Sequence, residues 1–183
     1  MPADKTIAWL LDVDGVINVW RPTWNAKPLT VAQVCRKTIR FNGDLIDFIN
    51  ETVDKYPVQI IWNTTWNYYP AQLSALEDLT GIRGFRAFSE RPEYLCPADQ
   101  KVKAVQDALY QYDRVIWTDD EEVNFTRKSY AGIACSEAAD KLLMIQPESK
   151  MGLRMGHAVA IAEWLKAWWS RIEETQGKEA DRE

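Results

Sequence analysis

Apolar residues along the chain follow two rhythms. Short unbroken runs at 7–11 (IAWLL), 58–62 (VQIIW), 114–118 (RVIWT) and 141–146 have the length and composition of strands buried on both faces of a parallel sheet. Between them the spacing turns helical. Leu45, Ile46, Phe48, Ile49 and Val53 predict a helix from about Asp44, closed by Pro57. Further helices are predicted over 71–79, stopped by Gly81, over 98–110, over 121–130 and over 155–175. The last carries a stripe of Ile161, Trp164, Leu165, Trp168 and Ile172 on one face. The stretch 16–43 holds Trp20, Pro22, Trp24 and Pro28 and reads as a loop or small flap. The stretch 81–97 is mixed, and the polar segment 177–183 is expected to be disordered. Strands alternating with helices predict an α/β fold: one domain over 1–176, a Rossmann-like parallel sheet with helices on both faces.

The polar residues at the strand ends stand out next. The first run ends in Asp12-Val13-Asp14-Gly15, the second reaches Thr64-Thr65, and the third reaches Asp119-Asp120. Lys101 and Lys103 open the helix before the third. Asp and Gly at one strand end are also what a solvated turn prefers. Three such ends in one parallel sheet bring carboxylates, hydroxyls and an ammonium to the edge where open α/β sheets bind ligands. Residues two apart on a strand share a side, so Asp12 and Asp14 would converge. Adjacent carboxylates repel, and the arrangement asks for a hard divalent cation such as Mg²⁺.

Composition narrows the class. The 183 residues suffice for one domain with a substantial core, and 46% are hydrophobic, which excludes a disordered chain. A net charge of -5 argues against broad electrostatic binding to nucleic acid, though not against a local basic site. Cys35, Cys96 and Cys135 are dispersed and lack C-x-x-C spacing, which reads as reduced thiols of a cytoplasmic protein without structural zinc. The single histidine, His157, excludes a multi-histidine metal site. No run approaches the roughly 18 apolar residues of a membrane span, and the first apolar run is too short for a signal peptide.

Phosphoryl transfer uses these groups together: a cation to offset phosphate charge, a nucleophile, a proton shuttle and donors for the phosphoryl oxygens. In LLDVDGV, IIWNTT, DQKVKAV and VIWTDDE the chain resembles the haloacid dehalogenase superfamily, in that order and over about residues 7–170. Phosphate-receiver domains use similar residue types in a different order. The resemblance implies an aspartyl-phosphate mechanism with Asp12 as nucleophile and metal ligand. It implies Asp14 as general acid/base, giving its backbone carbonyl to the metal. Thr64 would bond a phosphoryl oxygen, and Lys101 would neutralise phosphate and Asp12. Asp119 would hold Mg²⁺, with Asp120 assisting. Thr65 stands as an alternative to Thr64, and Lys103 to Lys101. An acid at position 14 favours phosphatases over dehalogenases. The K-x-x-A-V spacing, the TTW segment and the P-x-x-x-x-G-L segment at 147–153 resemble the small phosphatase-type domains of RNA-repair proteins.

The intervals 15–43 and 64–101 leave room for a minimal cap only. The expected partner is a phosphorylated substrate, either a nucleotide or nucleic-acid end or a small metabolite. A non-catalytic phosphate sensor of the same fold is the reading from another class. A monomer or weak dimer without membrane attachment is expected. Trp20, Trp24, Trp66, Tyr68 and Tyr69 lie near the site in sequence and either stack on bases or pack the flap. Arg36, Lys37 and Arg40, like Arg83, Arg86 and Arg91, either hold a second phosphate or form a solvated face. His157 reads as a capping or packing residue, and Trp169 lies off the buried stripe.

Overall fold

A computed structural model describes residues 6–24, 26–90, 96–123 and 140–180. Five parallel strands form the sheet: β1 (Ile7–Leu11), β4 (Val58–Trp62), β5 (Gly84–Arg86), β6 (Arg114–Thr118) and β7 (Leu142–Ile145). Their spatial order is β5-β4-β1-β6-β7. Counted along the sheet strands alone this is the 3-2-1-4-5 order of a doubly wound fold, whose switch point lies between β1 and β6. A separate two-stranded antiparallel sheet, β2 (Leu29–Val34) with β3 (Lys37–Asn42), makes up the second half of the predicted flap.

Side chains of β1 explain the layering. Ile7, Trp9 and Leu11 enter a core shared with Leu45, Ile46 and Ile49 of α1 (Gly43–Lys55) and Leu73 and Leu76 of α2 (Pro70–Thr80). The same core takes Ile161, Leu165, Trp168 and Ile172 of α4 (Met155–Ala180). Ala8 and Leu10 point the other way, onto Val102, Val105 and Ala108 of α3 (Pro97–Gln111). The sheet is thus covered by helices on both faces, as the unbroken apolar runs require.

The predicted strands and helices recur with ends shifted by a residue or two, with three differences. Within the stretch read as a loop or small flap, residues 29–42 form a hairpin. A short edge strand, β5, lies in the stretch read as mixed. The last helix continues to Ala180 through residues expected to be disordered, and 181–183 lie outside the described residues. Most of the helix predicted over 121–130 also lies outside them.

Candidate active site

Register places the site. Leu11 pairs with Trp62 on one side and Thr118 on the other, so the next residues, Asp12, Asn63 and Asp119, stand at one level. Backbone bonds carry the pairing one step further, from Asp12 N to Thr118 O (3.2 Å) and from Asn63 N to Leu11 O (3.0 Å). The chain then turns tightly, with the amides of Ile17 and Asn18 both bonding Val13 O at 2.9 and 2.8 Å. Val13, Val16 and Ile17 are fully buried in this turn. Gly15 adopts φ +75, and a Cβ there would sit 2.1 Å from Asp120 Oδ2. The space a side chain would need is occupied by the Asp120 carboxylate.

Lys101 lies at the centre. Its Nζ donates to Asp12 Oδ2 at 2.5 Å and to Asp119 Oδ2 at 2.7 Å. Buried Asn63 donates to the Lys101 carbonyl at 3.2 Å and fixes the helix at that residue. Asp12 Oδ1 accepts the Val13 amide at 2.7 Å, and the buried Thr64 hydroxyl favours the ionised form of this carboxylate. Asp119 Oδ1 accepts the Glu121 and Glu122 amides at 3.0 and 2.7 Å. Asp120 is half-buried and bonded by Ser149. Carboxylate oxygens of Asp12, Asp119 and Asp120 lie within 4.8 Å of one another.

Asp14 belongs to a second group. Its Oδ1 accepts from Asn18 Nδ2 at 2.6 Å, and its Oδ2 accepts from Trp66 Nε1 at 2.9 Å and from Lys37 Nζ at 2.5 Å. Asp14 is absent from the three-carboxylate cluster, so its side chain is not placed as a cation ligand there. Asp12, Asp14, Thr65, Lys101, Asp120, Glu121, Glu122 and Ser149 line one cavity of about 560 Å³.

Electrostatics follow from burial. Burial pushes the Asp12 carboxyl up to about 7, with Lys101 opposing and Asp119 adding to the rise. Burial would lower Lys101, but the two facing carboxylates outweigh it and hold the ammonium charged. For Asp14, burial raises the carboxyl, and the bonds from Lys37, Trp66 and Asn18 outweigh it and leave it below its ordinary value. Burial raises both Asp120 and Glu122. One ammonium therefore faces two buried carboxylates with a third beside them. Negative charge is in surplus, and either a proton or a cation would relieve it. A hard oxygen-only donor set of this kind suits Mg²⁺.

The predicted site residues divide accordingly. Asp12, Thr64, Lys101 and Asp119 are brought together in direct contact, with Asp120 beside them. Thr65 is exposed on the cavity wall. Lys103 is exposed and pairs with Asp107 at 2.9 Å, away from the cluster. Trp24 is buried and donates to Leu153 O at 2.6 Å, and Trp66 is buried against Asp14. Tyr68 bonds Gln100. Trp20 and Tyr69 are exposed, and Arg40 stacks on the Trp20 ring at 4.4 Å. Arg83 pairs with Asp78 at 2.9 Å, Arg86 is the exposed last residue of β5, and Arg91 lies outside the described residues. His157 accepts the Arg154 amide at 3.2 Å, a helix-start contact. Trp169 is half-buried and meets Tyr56 edge-on.

Asn18, Asn63 and Ser149 are contacts that sequence reading missed as site residues, and Lys37, read there as a phosphate holder or a solvated charge, bonds Asp14 instead. Only Ser149 carried a signal, lying inside the 147–153 segment. Gly152 at φ +68 seats that segment on the Val16 carbonyl, where a Cβ would come within 2.5 Å.

No family model, no curated protein and no solved structure matches this chain.

Proposed function

We propose that this protein is a Mg²⁺-dependent phosphohydrolase that cleaves phosphomonoesters through an aspartyl-phosphate on Asp12. The observation that carries the reading is the buried Asp12–Lys101–Asp119 cluster at the switch point, with Asp14 two residues on and held apart from it. The order of motifs shared with the haloacid dehalogenase superfamily supports the same reading.

Asp12, Asp119 and Asp120, with the Asp14 backbone carbonyl, would hold the cation. When bound, Mg²⁺ supplies charge neutralisation for the phosphate and keeps Asp12 ionised. An Asp12 oxygen attacks phosphorus, its new P–O bond forms, and the bond to the leaving oxygen breaks. Asp14 gives that oxygen a proton. It then takes a proton from the water that attacks the aspartyl-phosphate, releasing phosphate and free Asp12. Lys101 and Thr64 stabilise the phosphoryl oxygens. The bonds from Lys37, Trp66 and Asn18 favour the ionised form of Asp14 in the free protein, so the proton it gives in the first step is one it takes from solvent or from the monoanionic ester.

Among the described residues, none of the hairpin lines the Asp12 cavity. Trp20 carries an exposed ring stacked by Arg40, whose backbone amide is linked through Asn18 to Asp14. A nucleotide or nucleic-acid end uses such a ring better than a small metabolite does. The test is phosphate release with Mg²⁺ from an aryl phosphate, nucleotides, sugar phosphates and end-phosphorylated oligonucleotides. The expected result is release that Asp12→Asn and EDTA abolish, fastest with a nucleotide or oligonucleotide. A folded wild-type protein that releases nothing from any of them contradicts the proposal.

A further inference from the structure

We infer that Lys37, on the flap hairpin, is a positioning residue that fixes which oxygen of Asp14 meets the substrate. This rests on the reading of Asp14 as the acid/base. Lys37 opens β3 directly after a turn in which Cys35 and Arg36 both take positive φ, 47° and 71°. That turn aims its ammonium inward. Nζ reaches Asp14 Oδ2 at 2.5 Å and lies 4.6 Å from the centroid of the Trp66 ring. The same Trp66 donates its indole N–H to the same Oδ2 at 2.9 Å. Trp66 is itself held in place, being 1% exposed and bonded from its amide to Thr64 Oγ1 at 3.3 Å.

The hairpin grips Asp14 a second way. The Arg40 amide donates to Asn18 Oδ1 at 2.8 Å, which turns the Asn18 amide nitrogen toward Asp14 Oδ1 at 2.6 Å. A carboxylate has about four lone-pair sites, two on each oxygen. Lys37 and Trp66 fill both on Oδ2, and Asn18 fills one on Oδ1. The site left open is on Oδ1, and the proton passes to the leaving group there.

Lys37 and Asp14 are both about two-fifths exposed, at 42% and 44% of their side chains, so their pairing adds little to stability. Its effect is orientational. Without the ammonium, one lone pair of Oδ2 opens and the carboxylate can turn, so the proton is offered from the wrong place. The cost falls on esters whose leaving oxygen needs that proton. An aryl leaving group needs it least, and the alcohol of a nucleotide needs it most.

The experiment compares full-length wild type, Lys37→Met, Lys37→Arg and Lys103→Met with Mg²⁺ on p-nitrophenyl phosphate and adenosine 5′-monophosphate. For Lys37→Met, kcat on the nucleotide is expected to fall about tenfold or more, with KM within about twofold. The fall on the aryl ester is distinctly smaller, Lys37→Arg recovers most of the loss, and Lys103→Met matches wild type. Equal losses on both esters, a loss confined to KM, or no loss overturns the inference. If folded wild type turns over neither ester, the phosphatase reading itself fails and takes this one with it. That outcome differs from an active wild type with an indifferent Lys37→Met.

Discussion

Replacing Lys101 with Met removes an ammonium from between two buried carboxylates and keeps most of the stem. Lys101 is 7% exposed, Asp12 5% and Asp119 0%, so little water can take over its role. The carboxylate oxygens lie within 4.8 Å. At an effective dielectric constant of about 20, two unit charges at that distance repel by about 3.5 kcal/mol. That agrees with the roughly 3–5 kcal/mol typical of stripping one partner from a buried ion pair. The metal-free variant should therefore lose about 3–5 kcal/mol of stability at pH 8. The site can relieve itself by binding a proton, which gives the loss a pH signature. A carboxyl raised in the folded state contributes stability that is complete below its unfolded value and is lost as pH rises through its folded value. The variant should thus regain about 1.4 kcal/mol for the unit of acidification from pH 8 to pH 7, above the range where wild-type Asp12, at about 7, takes up a proton itself. Urea titrations in EDTA at both pH values, followed by tryptophan fluorescence, measure this directly; Trp9, Trp62, Trp66 and Trp117 are fully buried reporters. A loss below about 1 kcal/mol at pH 8, or one that does not shrink at pH 7, would refute the charge argument.

The same surplus of negative charge predicts that Asp12→Asn stabilises the metal-free protein. A gain of about 1 kcal/mol would raise Tm by about 2–4 °C in calorimetry at pH 8, and a lower Tm would count against it. Magnesium must compete with the proton on Asp12, whose carboxyl lies at about 7 in the free protein. Its affinity by titration calorimetry should hold above that pH and weaken up to about tenfold per unit below it, and a flat profile from pH 8 to 5.5 would exclude Asp12 as a ligand. Gly15→Ala forces a side chain into the Asp120 carboxylate at a φ of +75. It should weaken Mg²⁺ binding by at least about tenfold while the variant stays folded, and unchanged binding would remove Asp120 from the site.

The fold was legible where burial leaves an unbroken apolar run. β1, β4 and β6 are of that kind, and the residues just past them, Asp12, Asn63 and Asp119, stand at one level with Thr64 one step on. The hairpin was not legible. Leu29–Val34 is largely exposed or half-exposed, and its turn uses Cys35-Arg36 at positive φ, without the Asn-Gly or Asp-Gly signal that marks such turns. β5 is three residues at a sheet edge, too short for a pattern. Lys37 and Asn63 looked like ordinary surface charge and strand-end polarity. Their contacts, with Asp14 and with the Lys101 carbonyl, join positions 23 and 38 residues apart, a pairing that no local spacing reveals. Lys101 and Lys103 illustrate the opposite case: two residues along α3 turn the side chain from the buried cluster to solvent, so helical phase decides between them.

The central claim is a covalent phosphoryl group on Asp12. The direct measurement is acid quenching of the wild-type protein during turnover of a phosphomonoester with Mg²⁺, then mass spectrometry of the tryptic peptide 6–36, which carries Asp12 and Asp14 and runs past Arg21 and Lys27 because a proline follows each. A phosphoryl adduct localised to Asp12 is expected, and it should disappear in EDTA and in Asp12→Asn. Steady release of phosphate with no adduct there, or with Asp12→Asn still active, would contradict it.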